Sequence, residues 1–225
     1  MIKAQHKPLD EIVQMIADYR RVLILGCETC VAVCFAGGSK EVALLASTLR
    51  LRDGGGKEFL EESVKRQCEL EFIDEQKELI ESADAVVSIA CGVGMNVMAE
   101  RFPDTPVLPG NNTVFMGASP ELGKFAEQCV ACGDCIIHWT GGLCPIARCA
   151  KHLFNGPCGG SEEGRCEISQ DVPCIWQMIY ERLSRLGQLE RMEEIQGVRD
   201  WSTNDASGPR QFIREDLRVE SPVNP

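Results

Sequence analysis

Short apolar runs alternate with amphipathic segments along the first half of the chain. Residues 20–26 (RRVLILG) form an apolar run that ends in glycine, which is typical of a strand buried on both faces of a parallel sheet. Just before it, residues 9–19 place Ile12 and Ile16 on one face of an amphipathic helix. The pattern therefore predicts a helix followed by a buried strand.

The same alternation continues through the first half of the chain. It predicts further helices at residues 37–51, 73–83 and 93–102 and further strands at residues 61–68, 84–92 and 105–110. Strands that alternate with helices form parallel sheets with right-handed crossovers. The first half therefore predicts an α/β fold with a parallel sheet of the Rossmann or flavodoxin-like kind.

The second half has a different pattern. Residues 129–174 show little apolar periodicity and are rich in glycine, so they lack the large apolar side chains that build an independent core. We expect the fold of this segment to depend on bound metal. Residues 175–195 then predict an amphipathic helix, with Ile175, Ile179 and Leu183 along its apolar face.

These changes of pattern divide the chain into three predicted parts. Residues 1–118 form an α/β sheet domain with a cysteine-lined edge, and residues 119–186 form a small cysteine-rich, metal-dependent domain. Residues 187–225 contain the end of the last helix and a polar tail in which Trp201 and Phe212 are isolated apolar residues. Such a tail is either disordered or docked on a partner.

Charge and hydropathy exclude several classes of function. The 225 residues carry a net charge of −11, from 23 basic and 34 acidic side chains, which argues against nucleic acid and anionic membrane surfaces as partners. No run of about 18 apolar residues occurs, so we expect no membrane insertion. The N-terminal segment lacks the apolar core of a signal peptide, so we expect a cytoplasmic protein.

Cysteine is the residue that points to chemistry, because the chain contains 13 cysteines and only 3 histidines. An odd number of cysteines in a reducing compartment argues against disulfides. Cysteine-rich, histidine-poor sets favour iron–sulfur clusters over zinc, although zinc at one C-terminal site stays an alternative. The candidate metal ligands are Cys27, Cys30, Cys34, Cys68, Cys91, Cys129, Cys132, Cys135, Cys144, Cys149, Cys158, Cys166 and Cys174.

The C-terminal cysteines begin with the spacing of a ferredoxin loop. Cys129, Cys132 and Cys135 follow each other at intervals of three residues, a pattern that binds three corners of a four-iron cluster and leaves the fourth to a distant cysteine. Cys174 is one candidate for that fourth ligand, and the pairing among the eight C-terminal cysteines stays open. Lys151 and His152 are either hydrogen-bond donors to sulfur or solvated surface residues.

The N-terminal cysteines follow the predicted strands. Cys27 follows the first strand of the sheet, Cys68 ends the second and Cys91 ends the third. The carboxyl ends of parallel strands meet at one edge of a sheet, so these thiols converge beside Cys30 and Cys34. Four thiols suffice for a four-iron cluster. The spacing favours Cys27, Cys30, Cys34 and Cys91 as its ligands, with Cys68 as a substitute. The alternative is that Cys68 or Cys91 is simply a small buried apolar residue.

The other motifs in the sequence give little further evidence of function. Gly92 and Gly94 follow a strand and open a helix, but the segment lacks the third glycine of the dinucleotide fingerprint. We interpret these glycines as permitting close approach of the backbone to whatever Cys91 binds. The sequence contains neither a phosphate-binding P-loop nor a serine-hydrolase elbow.

The segments TGGLCPIARCAK, NGPCGG and GRCE resemble the cysteine-rich C-terminal domain family of methylene-tetrahydrofolate reductase. In many anaerobes this domain forms a separate small subunit of the MetV type beside the catalytic subunit. The segments GCETCVAVCFAGG, VKRQCE and SIACGVG of the first half are also similar to such subunits. The resemblance covers about residues 20–205.

The resemblance implies a redox subunit. Its expected partner is a MetF-type catalytic subunit, a flavin-containing barrel that forms methyl-tetrahydrofolate in the Wood–Ljungdahl pathway. The resemblance implies two or three [4Fe–4S] clusters in this chain, which pass electrons to the flavin on the partner. The upstream electron donor is ferredoxin, a nicotinamide-oxidising subunit or a heterodisulfide-reductase-like module.

Two other functions remain as alternatives at this point. The first is a zinc-stabilised, non-redox assembly subunit of the same or a related complex. The second is a corrinoid or methyl-transfer accessory protein with a catalytic zinc thiolate, which the sequence disfavours because such zinc needs an open coordination position. Iron content separates the redox subunit from both.

Overall fold

The computed structural model describes residues 1–205, 208–214 and 216. The chain divides into two compact units, Met1–Gln128 and Cys129–Pro225. Among the predicted features, the part of the polar tail at residues 206–207, 215 and 217–225 lies outside the described residues.

The first unit contains seven strands and six helices among the described residues. Its elements in chain order are β1 (Ile2–His6), α1 (Leu9–Met15), β2 (Arg21–Cys27), α2 (Cys30–Val33), α3 (Ser39–Asp53), β3 (Glu58–Val64), α4 (Leu70–Asp74), α5 (Lys77–Glu81), β4 (Ala85–Ser88), α6 (Gly92–Arg101), β5 (Val107–Pro109), β6 (Asn111–Glu121) and β7 (Lys124–Cys129).

Four of these strands form a parallel sheet in the order β3-β2-β4-β5. Numbered by their order along the chain, these parallel strands lie in the order 2-1-3-4, as the first four strands of flavodoxin-like sheets do. The predicted α/β fold with a parallel sheet is therefore confirmed. The strand predicted at residues 61–68 is wrong in its position, because β3 starts at Glu58 and ends at Val64.

Both faces of the sheet are covered, and the alternation along β2 shows why. Val22 and Ile24 point to one face, where they pack in a core with residues of α1 and α3. Leu23 and Leu25 point to the other face and pack with residues of α4, α5 and α6. All four side chains are completely buried, and each contributes roughly 1.5–3 kcal/mol by the usual scale for aliphatic burial.

A second sheet of three strands, in the order β1-β6-β7, was not predicted. β1 pairs with β6 in antiparallel fashion, from Ile2 opposite Met116 to His6 opposite Asn111. Asn111 anchors this sheet: its side chain is buried and its Nδ2 donates to the backbone oxygens of Ala36 (2.8 Å) and Ile89 (2.6 Å).

Three predicted helices are shorter than their apolar patterns. The helix predicted at residues 9–19 ends at Met15. The helix predicted at residues 73–83 is replaced by α4 and α5, which leave Glu75 and Gln76 between them. The helix predicted at residues 175–195 ends at Leu186, because Gly187 takes the left-handed conformation (φ 65°) that commonly stops a helix.

The second unit has little regular structure. Its elements are α7 (Pro145–Arg148), β8 (Arg165–Cys166), β9 (Ser169–Pro173), α8 (Ile175–Leu186) and a 3-10 turn at Leu189–Met192. Its small apolar core consists of four residues of α8, with Cys149 and Cys174 packed at its border. No helix within the described residues is long and apolar enough to cross a membrane.

Candidate metal centres

Cys27 is the last residue of β2 and, after Cys34, the most deeply buried of the five N-terminal thiols. It is 8% exposed, and burial raises the pKa of its thiol. Hydrogen bonds from the backbone N–H groups of Gln67 and Thr29 to its sulfur partly oppose that rise. Sulfur that already accepts backbone hydrogen bonds is suited to carry negative charge as a metal-bound thiolate.

Three other thiols lie close enough to interact electrostatically. After burial, the largest cause, Cys91 and Cys68 also raise the pKa of Cys27. The pKa of Cys68 is likewise raised mainly by burial, and Cys91 and Cys30 contribute to that rise. Cys91 lies at the start of α6, directly after β4, and Cys30 is the first residue of α2. The structure therefore brings Cys27, Cys30, Cys68 and Cys91 together at the carboxyl edge of the parallel sheet.

Gln67 holds the loop that carries Cys68. Its side chain is completely buried, and Nε2 donates to the backbone oxygens of Leu25 (2.9 Å) and Gly26 (3.0 Å) on β2. Its Oε1 accepts from Ser88 Oγ on β4 at 2.6 Å. The close approach of Gly94 is to this residue, since a Cβ at Gly94 would lie 2.8 Å from the Cβ of Gln67.

Cys34 has different surroundings. It is 4% exposed, and its sulfur accepts the backbone N–H of Ala4 on β1 at 3.4 Å. Its thiol lies 3.3 Å from the backbone oxygen of Val31, to which it donates. The fifth N-terminal cysteine is thus engaged with β1 and with its own helix.

In the second unit, four cysteines line one cavity. Cys149 follows α7, Cys166 ends β8 and Cys174 precedes α8, so three separate elements direct these residues to the same place. Cys158, in the loop between, is the fourth. Cys174 therefore lies with these three residues.

Three charged residues line this cavity, Arg148, Lys151 and Glu167, and the last two form an ion pair. Cys158 donates to Glu167 Oε2 at 3.3 Å, and Lys151 Nζ lies 2.7 Å from Glu167 Oε1. The hydrogen bond from Lys151 lowers the pKa of Glu167, with Cys158 contributing in the same direction. The pair with Glu167 raises the pKa of Lys151. His152 does not take part in this group, since its Nδ1 contacts the backbone oxygen of Ile146 at 3.1 Å.

The loop of Cys129, Cys132 and Cys135 is held by residues far along the chain. Arg199 has a side chain that is only 4% exposed, and its Nη2 donates to Cys132 Sγ at 3.3 Å. Thr203 Oγ1 donates to the backbone oxygen of Cys132 at 2.9 Å. This part of the predicted tail packs on its own chain. Cys135 is exposed.

The motif residues around these cysteines have structural roles. Thr140, in TGGLCP, is buried and its Oγ1 donates to the backbone oxygen of Leu143. Asn155, in NGPCGG, donates to the backbone oxygen of Gln196 (2.9 Å) and accepts its N–H (2.7 Å). Cys144 caps α7, because its sulfur accepts the N–H of Ala147 at 3.5 Å.

The two sets of thiols suit a cluster of several irons better than a single metal ion. All 13 cysteines are free thiols. Within residues 1–205, 208–214 and 216, no group of three or more His, Cys, Asp or Glu side chains is arranged to hold a single metal ion. In a four-iron cluster each thiolate binds a different iron, so its four sulfurs stand further apart than the ligands of one ion. Two sets of four neighbouring cysteines fit that group in number and in ligand chemistry.

Three residues that shape these sites were missed in the sequence. They are Gln67, Glu167 and Arg199, which contact the cysteine-bearing loops. The only signal for Gln67 and Glu167 was their position next to Cys68 and Cys166. Arg199 had no signal, because its contact with Cys132 spans 67 residues of chain.

A known protein family matches part of the chain. Residues 108–202 match the family described as "Methylene-tetrahydrofolate reductase C terminal". The matched segment contains all eight C-terminal cysteines, whereas Cys27, Cys30, Cys34, Cys68 and Cys91 lie outside it. No curated protein and no solved structure matches the chain.

Proposed function

We propose that this chain, whose residues 108–202 match the family described as "Methylene-tetrahydrofolate reductase C terminal", is an iron–sulfur electron-transfer subunit of a methylene-tetrahydrofolate reductase complex. In this proposal it is the small MetV-type subunit. Its partner is a MetF-type catalytic subunit that forms methyl-tetrahydrofolate. The observation that carries the proposal is the cavity lined by Cys149, Cys158, Cys166 and Cys174 inside the matched domain.

The residues of that cavity suit an iron–sulfur cluster. Thiolates are the protein ligands that such clusters prefer, and four of them are present. Lys151 lies beside Cys158 and supplies a positive charge near a site that four thiolates make negative. When bound, a cluster of this kind supplies one-electron transfer.

The chain's own residues would bind and tune such groups. The four cysteines of the cavity would provide the ligands of one cluster, and Arg199 would place a hydrogen-bond donor and a positive charge on Cys132, in the separate loop of Cys129, Cys132 and Cys135. Charge and hydrogen bonds at sulfur are the means by which proteins set cluster potentials. Two successive one-electron transfers then meet the two-electron need of a flavin on the partner.

The test begins with the metal content of the chain. Iron, zinc and acid-labile sulfide are measured per chain on protein purified without oxygen. We expect about eight to twelve irons with matching sulfide, the content of two or three four-iron clusters. Near-zero iron with one or two zinc ions would overturn the redox proposal and leave the zinc-stabilised assembly subunit.

A second measurement tests electron delivery itself. The iron-loaded chain is reduced and mixed without oxygen with a flavin-loaded MetF-type subunit, and flavin absorbance is followed. We expect the flavin to be reduced and the chain to be reoxidised by an equal number of electrons. An unchanged flavin spectrum in a complex that demonstrably forms would refute the direction of electron flow. Reduced ferredoxin and a nicotinamide-oxidising subunit are then compared as upstream donors.

A further inference from the structure

We infer that Cys27, Cys30, Cys68 and Cys91 bind one iron–sulfur cluster at the edge of the parallel sheet, and that Cys34 instead fixes β1 to α2. This inference rests on the proposed function, because it assigns the ligands of one of its clusters. It concerns residues outside the segment that matches the reductase C-terminal family.

The topology makes a crevice at this place. β2 lies between β3 and β4, and the chain leaves β2 toward α3 on one face but leaves β4 toward α6 on the other. Ligands of open α/β sheets bind where neighbouring strands send the chain to opposite faces. Cys27 ends β2 and Cys91 follows β4, so these two thiols flank that crevice.

Gln67 brings the third ligand to the same place. β3 ends at Val64, so Cys68 is not held by the sheet ladder itself. The hydrogen bonds of Gln67 to both β2 and β4 instead fix the loop across the carboxyl ends of these strands. The backbone N–H of Gln67 also donates to the sulfur of Cys27, which places the peptide next to Cys68 against that thiol.

Thr29 brings the fourth ligand. Its backbone N–H donates to the Cys27 sulfur, and its Oγ1 donates to the backbone oxygen of Lys65 at 2.5 Å. Cys30 follows directly, so the loop after β2 and the loop after β3 are joined beside both thiols. Arg66 interacts with both Cys30 and Cys68, and its positive charge offsets part of the charge of four thiolates.

Cys34 is excluded by its own contacts. Its sulfur lies in the small core that also contains Cys27, but it faces two backbone oxygens: its thiol donates to Val31 O at 3.3 Å and lies 3.6 Å from Ala4 O. Binding to iron removes the thiol proton and would leave a buried thiolate beside these oxygens, which is unfavourable. Cys68 is exposed and carries no such cost.

The decisive pair of variants is Cys68→Ala and Cys34→Ala, each of which removes one thiol from the same unit. Both are made in the full chain and purified without oxygen, and iron and sulfide are measured on the folded fraction. We expect Cys68→Ala to lose about four irons, one cluster, and Cys34→Ala to keep the wild-type content. Loss of iron in Cys34→Ala with full iron in Cys68→Ala would overturn the assignment.

Alkylation of the wild-type chain tests the assignment without any variant. Iodoacetamide labelling is read by mass spectrometry before and after iron is removed with a chelator. We expect Cys68 to be protected in the iron-loaded protein and labelled after removal, while Cys34 stays unlabelled in both. Labelling of Cys68 in the iron-loaded protein would overturn the inference even if Cys34→Ala failed to fold. A wild-type chain without iron would instead refute the proposed function.

Discussion

The two units place their cysteines on different kinds of framework. In the first unit, a sheet covered on both faces completely buries residues such as Leu23, Ile24 and Val87, and the thiols sit at its edge. In the second unit, the thiols line the interior itself, and one short helix supplies the four buried residues of the apolar core. In our proposal, metal in the first unit is an addition to a finished fold, whereas in the second unit it takes the place of a larger apolar core.

Removal of metal should give the largest difference between the units. Metal sites that organise small domains contribute on the order of 10 kcal/mol to folding. After chelation without oxygen, we expect amide protons of residues 144–174 to exchange rapidly while those of β2 and β4 stay protected. Hydrogen exchange read by mass spectrometry measures this. Equal loss of protection in both units would show that the sheet also depends on metal.

Gln67→Ala should give the next largest effect, confined to the first unit. The change removes the bonds to Leu25, Gly26 and Ser88 and leaves buried polar groups without partners, so we expect the free energy of unfolding of this unit to fall by about 2–4 kcal/mol. Native-state hydrogen exchange of β2 and β4 measures it. Gln14→Ala, on the exposed side of α1, is the matched control. An effect no larger than that of the control would contradict the bridging role of Gln67.

Arg199→Gln should weaken metal binding in the second unit alone. Loss of a residue that hydrogen-bonds to a ligand usually costs about 10–100-fold in metal affinity, and Arg199 donates to Cys132 Sγ at 3.3 Å. Competition with a chelator measures the affinity. Arg185→Gln, an exposed residue of α8, removes the same charge as a control. If both variants behave alike, only the net charge of the unit matters and the contact with Cys132 does not.

Asp84→Asn should give the smallest effect. Asp84 Oδ2 accepts the backbone N–H groups of Arg20 (3.0 Å) and Arg21 (2.8 Å), and these bonds lower the pKa of its carboxyl. A lowered pKa in the folded state stabilises the fold above the unfolded pKa, and this contribution is lost as the pH falls through the folded pKa. We therefore expect a lower thermal midpoint at neutral pH, measured by calorimetry.

The pH dependence provides the check on Asp84. The difference between Asp84→Asn and wild type should shrink as the pH falls, because the wild-type carboxyl becomes neutral as well. Asp104→Asn, an exposed residue of the same unit, is the control and should change the midpoint less. A difference that is constant with pH would mean that charge on Asp84 has no part in stability.

The parallel sheet could be predicted from sequence because its signal is local. The apolar run of β2 and the helices around it each fall within a short window, and topology then brings Cys27 and Cys91 to one edge. The antiparallel sheet of β1, β6 and β7 has no such signal, since β6 is mostly exposed or half-buried and its apolar alternation is weak. β1 and β6 pair across about half the chain, which no local pattern reports.

The grouping of the cysteines is harder to predict than the presence of two cysteine-rich regions. Spacing favours Cys34 as a member of the N-terminal set, whereas we propose Cys68 in its place because the Cys34 sulfur is hydrogen-bonded to β1, a strand absent from the prediction. In the second unit, left-handed glycines such as Gly156 and Gly159 decide where the loop turns and which thiols face the same cavity. Such turns follow no period in sequence, so the pairing could not be read from it.

The buried side chain of Gln67 has a consequence for maintenance in the cell. Its hydrogen bonds to β2 and β4 hold the Cys68 loop with protein groups alone, so the proposed site would persist if its cluster were destroyed. If oxygen destroyed the cluster at the sheet edge, the binding site would stay folded, and a new cluster could be inserted without resynthesis of the chain. The apolar core of the second unit consists of four residues of α8, so loss of the proposed cluster there would expose the subunit to proteolysis before repair.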